Sequence, residues 1–264
     1  MTNNMKIYKP VWCCIYCSNG VIKEAAKRTL GKEHIIPFGL GGNLILPRAS
    51  CKKCGRITGM VEEKCQHMIL GQTRIRLGLP TRHPKERPSE LALVFRHADG
   101  RIGQKKVRPS NYPLIIPGLK LPPPGILNDE KPHDRKAVEA WVGFQNEEVR
   151  KKLSDGGPSL RLVTLDNHIF CRLIAKIAYS YAVAELGFHS FQPVLLDLIL
   201  GESQTPFYWV GGDMTVSPPE PTVLHKLDHK IETIRGMQYM VAYISLFCFF
   251  GAPAYRVVVG FNKH

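Results

Sequence analysis

The pattern of apolar and polar positions predicts short strands and helices along the whole chain. Near the start, residues 12–28 fit a hairpin with its turn at 18–20, and residues 32–37 and 43–46 fit short extended segments around a glycine-rich loop. From Cys51 onward, apolar residues recur mostly at spacings of three and four, which predicts a helix that ends at Gly71. The order of these elements predicts a small ββα unit.

The middle of the chain is marked by proline. Residues 80–88 contain four basic side chains between prolines, which predicts an extended linker. Residues 91–95 and 102–107 flank Asp99-Gly100, a strong hairpin signal. The proline-rich stretch 113–124 is interpreted as a loop that contains a domain boundary.

The last part of the chain is predicted to mix helices and strands. A strand at 160–165 is followed by a long helix, capped by Asp166 or Asn167 and ending at Gly187. Residues 194–200 and 222–235 are predicted as two further helices, and residues 239–250 and 254–261 as two strands. The fold class is therefore α+β, with units at residues 10–75, 76–124 and 125–264.

The charge of the chain is unevenly distributed. The 264 residues carry a formal net charge of +14, and residues 1–110 hold 21 Lys and Arg against 7 Asp and Glu. Residues 111–264 hold 15 of each kind, so the whole excess lies on the N-terminal part. Such a field favours a polyanionic partner, and we expect nucleic acid, most simply DNA. A basic surface that serves only solubility is the alternative.

The two most apolar stretches are interpreted as buried elements and not as membrane spans. Residues 169–186 contain three charged side chains, and residues 236–255 are interrupted by polar residues and by Gly251-Ala252-Pro253. The first residues lack the apolar region of a secretory signal. We therefore expect a cytoplasmic protein with no membrane partner.

Four cysteines form two CxxC pairs, Cys14/Cys17 and Cys51/Cys54. Each CxxC turn offers two thiolates from one tight bend, and two such turns match the four ligands of a structural Zn²⁺ site. A chance grouping of buried thiols is the alternative. Cys65, Cys171 and Cys248 lie in apolar surroundings and are predicted to be buried thiols without a metal role.

The segment between the two pairs contains Glu33-His34-Ile35-Ile36-Pro37 and Gly41-Gly42-Asn43-Leu44. Together with the CxxC pairs and in this order, these motifs resemble the HNH endonuclease family, whose fold is the ββα-metal unit, here with a zinc staple. The resemblance covers roughly residues 12–70. It implies a metal-dependent endonuclease that hydrolyses phosphodiester bonds and uses Mg²⁺ or Mn²⁺ in addition to structural Zn²⁺.

The resemblance also implies a role for individual residues. His34 matches the general base, and Asn43 matches the asparagine that holds the catalytic loop. Glu33 occupies an acidic position that binds the catalytic ion in many relatives. The family usually places His or Asn after the last CxxC cysteine, but this chain has Gly55 there. Glu62, on the same predicted helix face as Gly55, is a weak candidate for the missing ligand.

Basic side chains near these motifs are candidate phosphate contacts, although each could also be merely solvated. They are Arg48, Lys52, Lys53, Arg56, Arg82, Lys85 and Arg87. Two other functions stay open: a zinc-stapled module that binds nucleic acid without cutting it, and an adaptor that acts mainly through residues 125–264. That C-terminal half could also form a homodimer or bind a protein partner.

Overall fold

The computed structural model describes residues 5–17, 29–96, 99–132, 138–144 and 166–262. Its N-terminal part is a three-stranded sheet followed by a helix. The central strand of that sheet pairs parallel with the first strand and antiparallel with the second. These elements are β1 (Lys6–Ile7), β2 (Gly31–His34), β3 (Leu44–Ser50) and α1 (Lys52–Lys64).

The helix predicted for residues 51–71 consists of two pieces, and a separate helix begins at Gly71, where the prediction ended. After α1, residues Cys65–Ile69 form a π-helical turn, and α2 (Gly71–Arg76) follows. The predicted turn at 18–20 lies outside the described residues. The order β2, β3, α1 nevertheless gives the strand–strand–helix sequence that the apolar pattern predicts.

Two separate hairpins occupy the middle of the chain. The first, β4 (Leu91–Arg96) with β5 (Ile102–Val107), confirms the hairpin predicted around Asp99-Gly100. The second joins β6 (Ile115–Lys120) to β7 (Glu139–Phe144). The prediction of a loop over residues 113–124 was therefore wrong for residues 115–120, where Ile116 and Leu119 are buried and the segment pairs as a strand despite Pro117.

The C-terminal part packs a long helix against a five-stranded antiparallel sheet. The sheet has the order β10-β11-β12-β8, and β9 also pairs with β12. The helix confirms the prediction for residues 166–187, since Asp166 accepts a hydrogen bond from the Ile169 amide at its start. The elements are α3 (Asn167–Leu186), β8 (Phe191–Pro193), α4 (Leu196–Leu200), α5 (Pro206–Trp209), β9 (Val210–Gly211), β10 (His225–Ile234), β11 (Met237–Leu246) and β12 (Ala254–Asn262).

The helix predicted for residues 222–235 was wrong, since this segment forms strand β10. Its residues pair with β11 along their full length, from His225 opposite Leu246 to Ile234 opposite Met237. The two-residue connection, Arg235-Gly236, has positive φ values of 50° and 79°, the geometry of a tight hairpin turn. The strand predicted at 160–165 lies outside the described residues.

One buried apolar core joins the N-terminal and C-terminal parts. It contains Ile15, Ile35 and Val61 together with Ile177 and Val257. Helix α3 packs against β11, β12 and α1, which explains why nearly its whole circumference is apolar. The mixed α+β class is confirmed; the unit boundaries at residues 75 and 124 stay a prediction. No described helix combines the length and apolar character needed to cross a bilayer.

Candidate functional site

The four cysteines of the two CxxC pairs meet at the N-terminus of α1. The Sγ atoms of Cys14, Cys17, Cys51 and Cys54 all lie within 4.8 Å of one another, and those of Cys17 and Cys51 are 3.9 Å apart. Four thiolates around a tetrahedral Zn²⁺ with Zn–S bonds of 2.3 Å are separated by about 3.8 Å. The four cysteines could therefore hold a zinc-like metal ion.

The surroundings of these thiols determine how readily each one ionises. Cys51 is the N-cap of α1 and accepts a hydrogen bond from the Cys54 amide. Burial raises the pKa of Cys17 to about 11, whereas the pKa of Cys51 is lowered because the hydrogen bonds from Cys54 outweigh its burial. A bound cation would supply the positive charge that the remaining thiols need to ionise.

The hairpin of β2 and β3 places the segment that resembles the HNH family against α1. Glu33 pairs with Leu46, and His34 pairs with Ile45. Because neighbouring residues of a strand face opposite sides, Glu33 is buried while His34 stays partly exposed. The glycine-rich loop closes tightly after this strand: a Cβ atom on Gly42 would lie 1.9 Å from the Ile36 carbonyl oxygen. Glycine is thus required at that motif position.

The imidazole of His34 lies beside the ring of Phe38, with ring centroids 5.7 Å apart. Burial, together with the positive charges of Lys32 and Lys176, lowers the pKa of His34 to about 4. The ring is therefore neutral at pH 7. Its Nδ1 atom is buried and has no hydrogen-bond partner among the described residues. Nε2 is consequently the nitrogen that a water molecule could reach.

Asn43 lies at the start of β3, next to the glycine-rich loop. Its backbone carbonyl accepts a hydrogen bond from the Lys6 amide at 3.0 Å, and the following residue, Leu44, accepts one from Ile35 at 3.0 Å. These bonds fix Asn43 in the hairpin, two residues from the partner of His34. The asparagine is thus placed where it could hold the loop that carries the histidine.

Glu33 and Glu62 meet at the ammonium group of Lys176, a residue from the middle of α3. The Nζ atom of Lys176 lies 2.6 Å from Glu33 Oε1 and 2.7 Å from Glu62 Oε1. It also donates to the backbone carbonyl oxygens of His34 and, at 3.3 Å, Ile35. The two carboxylates raise the pKa of Lys176 and outweigh its complete burial, so the ammonium stays charged.

The residues expected to bind a catalytic Mg²⁺ or Mn²⁺ do not fit that ion in this arrangement. Such ions require carboxylate oxygens at about 2.0–2.2 Å, but both carboxylates already contact the ammonium of Lys176. At Gly55, a Cβ atom would lie 3.4 Å from Ser50 Oγ, and glycine itself offers no ligand atom. The structure thus brings Glu33 and Glu62 together, but around a lysine.

The candidate phosphate contacts divide into two groups. Lys52, Lys53 and Arg56 are exposed on the first turns of α1, and Arg82 and Lys85 are exposed on the segment that follows α2. The remaining two have partners within the protein: Arg48 donates to the Leu30 carbonyl at 3.2 Å, and Arg87 donates to the Leu79 carbonyl. The first group is available to a nucleic acid, whereas the second also stabilises the fold.

His225 lies in the segment 222–235 that was wrongly predicted as a helix, and its side chain is partly buried at the start of β10. Its Nε2 atom lies 2.7 Å from the Leu40 carbonyl oxygen, and its Nδ1 accepts a hydrogen bond from the Phe247 amide. This neutral tautomer ties the glycine-rich loop after β2 to the C-terminal sheet. Burial lowers the pKa of His225 to about 4.

Sequence reasoning missed Lys176 as well as the bridging role of His225. The signal for Lys176 was a single lysine inside the apolar run of residues 169–186, where a charge needs a buried partner. Comparison of the chain with protein-family models, with curated proteins and with solved structures finds no match. Its function must therefore be argued from the motifs and from the geometry of the site.

Proposed function

We propose that this protein is an endonuclease of the HNH type that hydrolyses phosphodiester bonds in DNA. The observation that carries the proposal is the position of His34, neutral and partly exposed, at the end of a strand in a hairpin–helix unit clipped by four cysteines. This arrangement, together with the motif order of the sequence, supports a ββα-metal nuclease with a structural Zn²⁺ ion.

The chain's own residues can supply several parts of the chemistry. A neutral His34 can accept a proton from an attacking water molecule, because general bases must be unprotonated at the working pH. Lys32 and Arg82 lower the pKa of His34, so their positive charges act at His34 and would favour the binding of a phosphate beside it. Asn43 would hold the loop that carries the histidine. Exposed Lys52, Lys53 and Arg56 would contact the DNA backbone.

A second function, nucleic-acid binding without cleavage, is favoured by two observations. The ammonium of Lys176 contacts the carboxylates of Glu33 and Glu62, which are the expected ion ligands. In addition, a base that acts through Nε2 needs its proton on Nδ1, and the buried Nδ1 of His34 has no acceptor among the described residues. Either function accounts for the concentrated positive charge. A cytoplasmic location, and a homodimer or protein partner for the C-terminal half, are parts of the proposal that rest on sequence alone.

A supercoiled-plasmid assay separates the two functions. The zinc-loaded protein is incubated with plasmid in Mg²⁺ or Mn²⁺, and retention of the plasmid is measured in parallel at increasing salt. Nicking or linearisation supports the nuclease. Salt-sensitive retention without any cleavage contradicts the nuclease and supports the binding module, since phosphate contacts weaken as salt rises.

A further inference from the structure

The ammonium group of Lys176 has the surroundings of a bound cation. Four oxygen atoms face it: one carboxylate oxygen each from Glu33 and Glu62, and the backbone carbonyls of His34 and Ile35. The side chain of Lys176 is 1% exposed, so no water competes for its three N–H donors. The lysine is thus held by protein oxygens alone.

The same oxygens would suit a divalent ion if the ammonium were absent. Carboxylate and carbonyl oxygens are the donors that Mg²⁺ and Mn²⁺ prefer. Glu33 is 5% exposed and Glu62 is 20% exposed, so without a cation the two carboxylates would face each other with little solvent between them. The pair therefore needs a positive charge, and in this structure α3 provides it.

The position of Lys176 on α3 makes it a fixed part of this arrangement. Its neighbours Ala175 and Ile177 are fully buried in the core. One turn further on, the Tyr179 hydroxyl donates to the Ile15 carbonyl beside the first CxxC pair, at 2.5 Å. Since this part of α3 is buried and is joined to the N-terminal unit, the ammonium cannot leave the carboxylates by a simple side-chain rotation into solvent.

We propose that Lys176 is a built-in competitor of a divalent ion at a latent Glu33–Glu62 site. The ammonium holds the place that Mg²⁺ or Mn²⁺ would take, and the carboxylates bind such an ion only when the ammonium is removed. This inference rests on the proposed function only for the identity of the ion, and it leaves the Glu33–Glu62 site without that ion in the wild type. Its test measures ion binding and not cleavage, so the two can fail separately.

The test is a Mn²⁺ titration followed by electron paramagnetic resonance, with all proteins loaded with zinc. Lys176→Ala should bind one Mn²⁺ about tenfold or more tighter than the wild type, and Lys176→Ala with Glu33→Gln should lose that gain. Equal Mn²⁺ binding by the folded Lys176→Ala and wild-type proteins would overturn the inference. So would a gain that survives Glu33→Gln.

A second measurement uses the wild-type protein, in case Lys176→Ala does not fold. In NMR spectra of the lysine-¹⁵N-labelled protein, a buried ammonium whose protons exchange slowly with water gives a separate Nζ signal. We expect this Lys176 signal to stay unchanged when millimolar Mg²⁺ is added. A shift or loss of the signal on addition of Mg²⁺ would show that the ion displaces the ammonium freely, which contradicts a site held by Lys176.

Discussion

The Nζ atom of Lys176 lies 2.6 Å from Oε1 of Glu33, although Lys176 comes from the long C-terminal helix α3 and Glu33 from strand β2 near the N-terminus. This contact makes the long helix α3 part of the candidate active site. It also means that the N-terminal unit is completed by the rest of the chain, since Glu33 would otherwise be a buried carboxylate without a counter-charge. The site and the fold therefore depend on each other.

Replacing Lys176 with methionine should destabilise the protein strongly. Removal of one member of a buried ion cluster leaves an uncompensated charge and costs about 3–5 kcal/mol. Urea unfolding of Lys176→Met measures this loss, and the exposed Lys226→Met, whose lysine pairs with Glu220 at the surface, serves as a control with a change within about 0.5 kcal/mol. Adding Glu33→Gln and Glu62→Gln should restore much of the stability. A Lys176→Met protein as stable as the control would contradict the ion cluster.

Cys14→Ser should reduce zinc content and stability together. One of the four ligands is lost, and because metal binding contributes directly to folding, the expected cost is several kcal/mol. The matched control is Cys13→Ser, which removes the adjacent thiol outside the four-cysteine cluster. Zinc is measured by elemental analysis and stability by chemical unfolding. Equal zinc loss in both variants would exclude the assigned ligand set.

The stability of the protein should fall as the pH drops from about 6.5 toward 4. The pKa of His225 is about 4 in the folded state, against 6.5 ordinarily, so in this range the unfolded chain binds a proton that the folded chain does not. At pH 4 the free energy of unfolding is lower by roughly 3 kcal/mol because of this one histidine. His34 contributes in the same direction, since its pKa is also lowered to about 4.

His225→Gln isolates the contribution of this one histidine. The variant should be less stable than the wild type near neutral pH, because the bond to Leu40 or to Phe247 is lost. Its stability should, however, vary less between about pH 7 and pH 5, since glutamine does not titrate. Chemical unfolding at the two pH values checks this. Identical pH dependence in both proteins would show that His225 is not buried as a neutral ring.

The combined variant Lys52→Ala, Lys53→Ala and Arg56→Ala should weaken DNA binding and reduce its salt dependence. Each phosphate contact contributes about 0.9 to the slope of log K against log salt, so the slope should fall by about 3. Lys226→Ala with Lys230→Ala, on the edge strand β10, is the control. An unchanged slope in the α1 variant would place the DNA elsewhere.

The sequence predicted the elements whose signals are local. The CxxC spacings predicted the four-cysteine cluster, and Asp166 and Gly187 correctly bounded helix α3. The alternation of partly buried and exposed residues along β10 was missed because His225 and His229 also fit a helical spacing of four. The Arg235-Gly236 turn was the signal that could have decided between them, because it permits a two-residue hairpin.

The contacts around β2 and the glycine-rich loop could not be predicted, because they connect residues far apart in the chain. Nothing near Glu33 indicates that its counter-charge is Lys176, and nothing near Leu40 indicates a bond from His225. Gly55 indicated that a metal ligand is missing, because glycine offers no side-chain ligand atom. Local spacing showed that Glu62 could face the same way, but only the packing of α3 against α1 shows what lies between Glu62 and Glu33.

If His34 is the general base of a nuclease, plasmid cleavage should depend on this histidine and not on an exposed one. Wild type, His34→Ala and the exposed His83→Ala are compared at equal zinc content in Mg²⁺ and Mn²⁺. We predict that His34→Ala cuts about a hundred- to ten-thousandfold more slowly, the range for loss of a general base, while His83→Ala matches the wild type. Equal cleavage by His34→Ala and wild type, or no cleavage by any of the three proteins, would contradict the role of His34 as the general base of a nuclease.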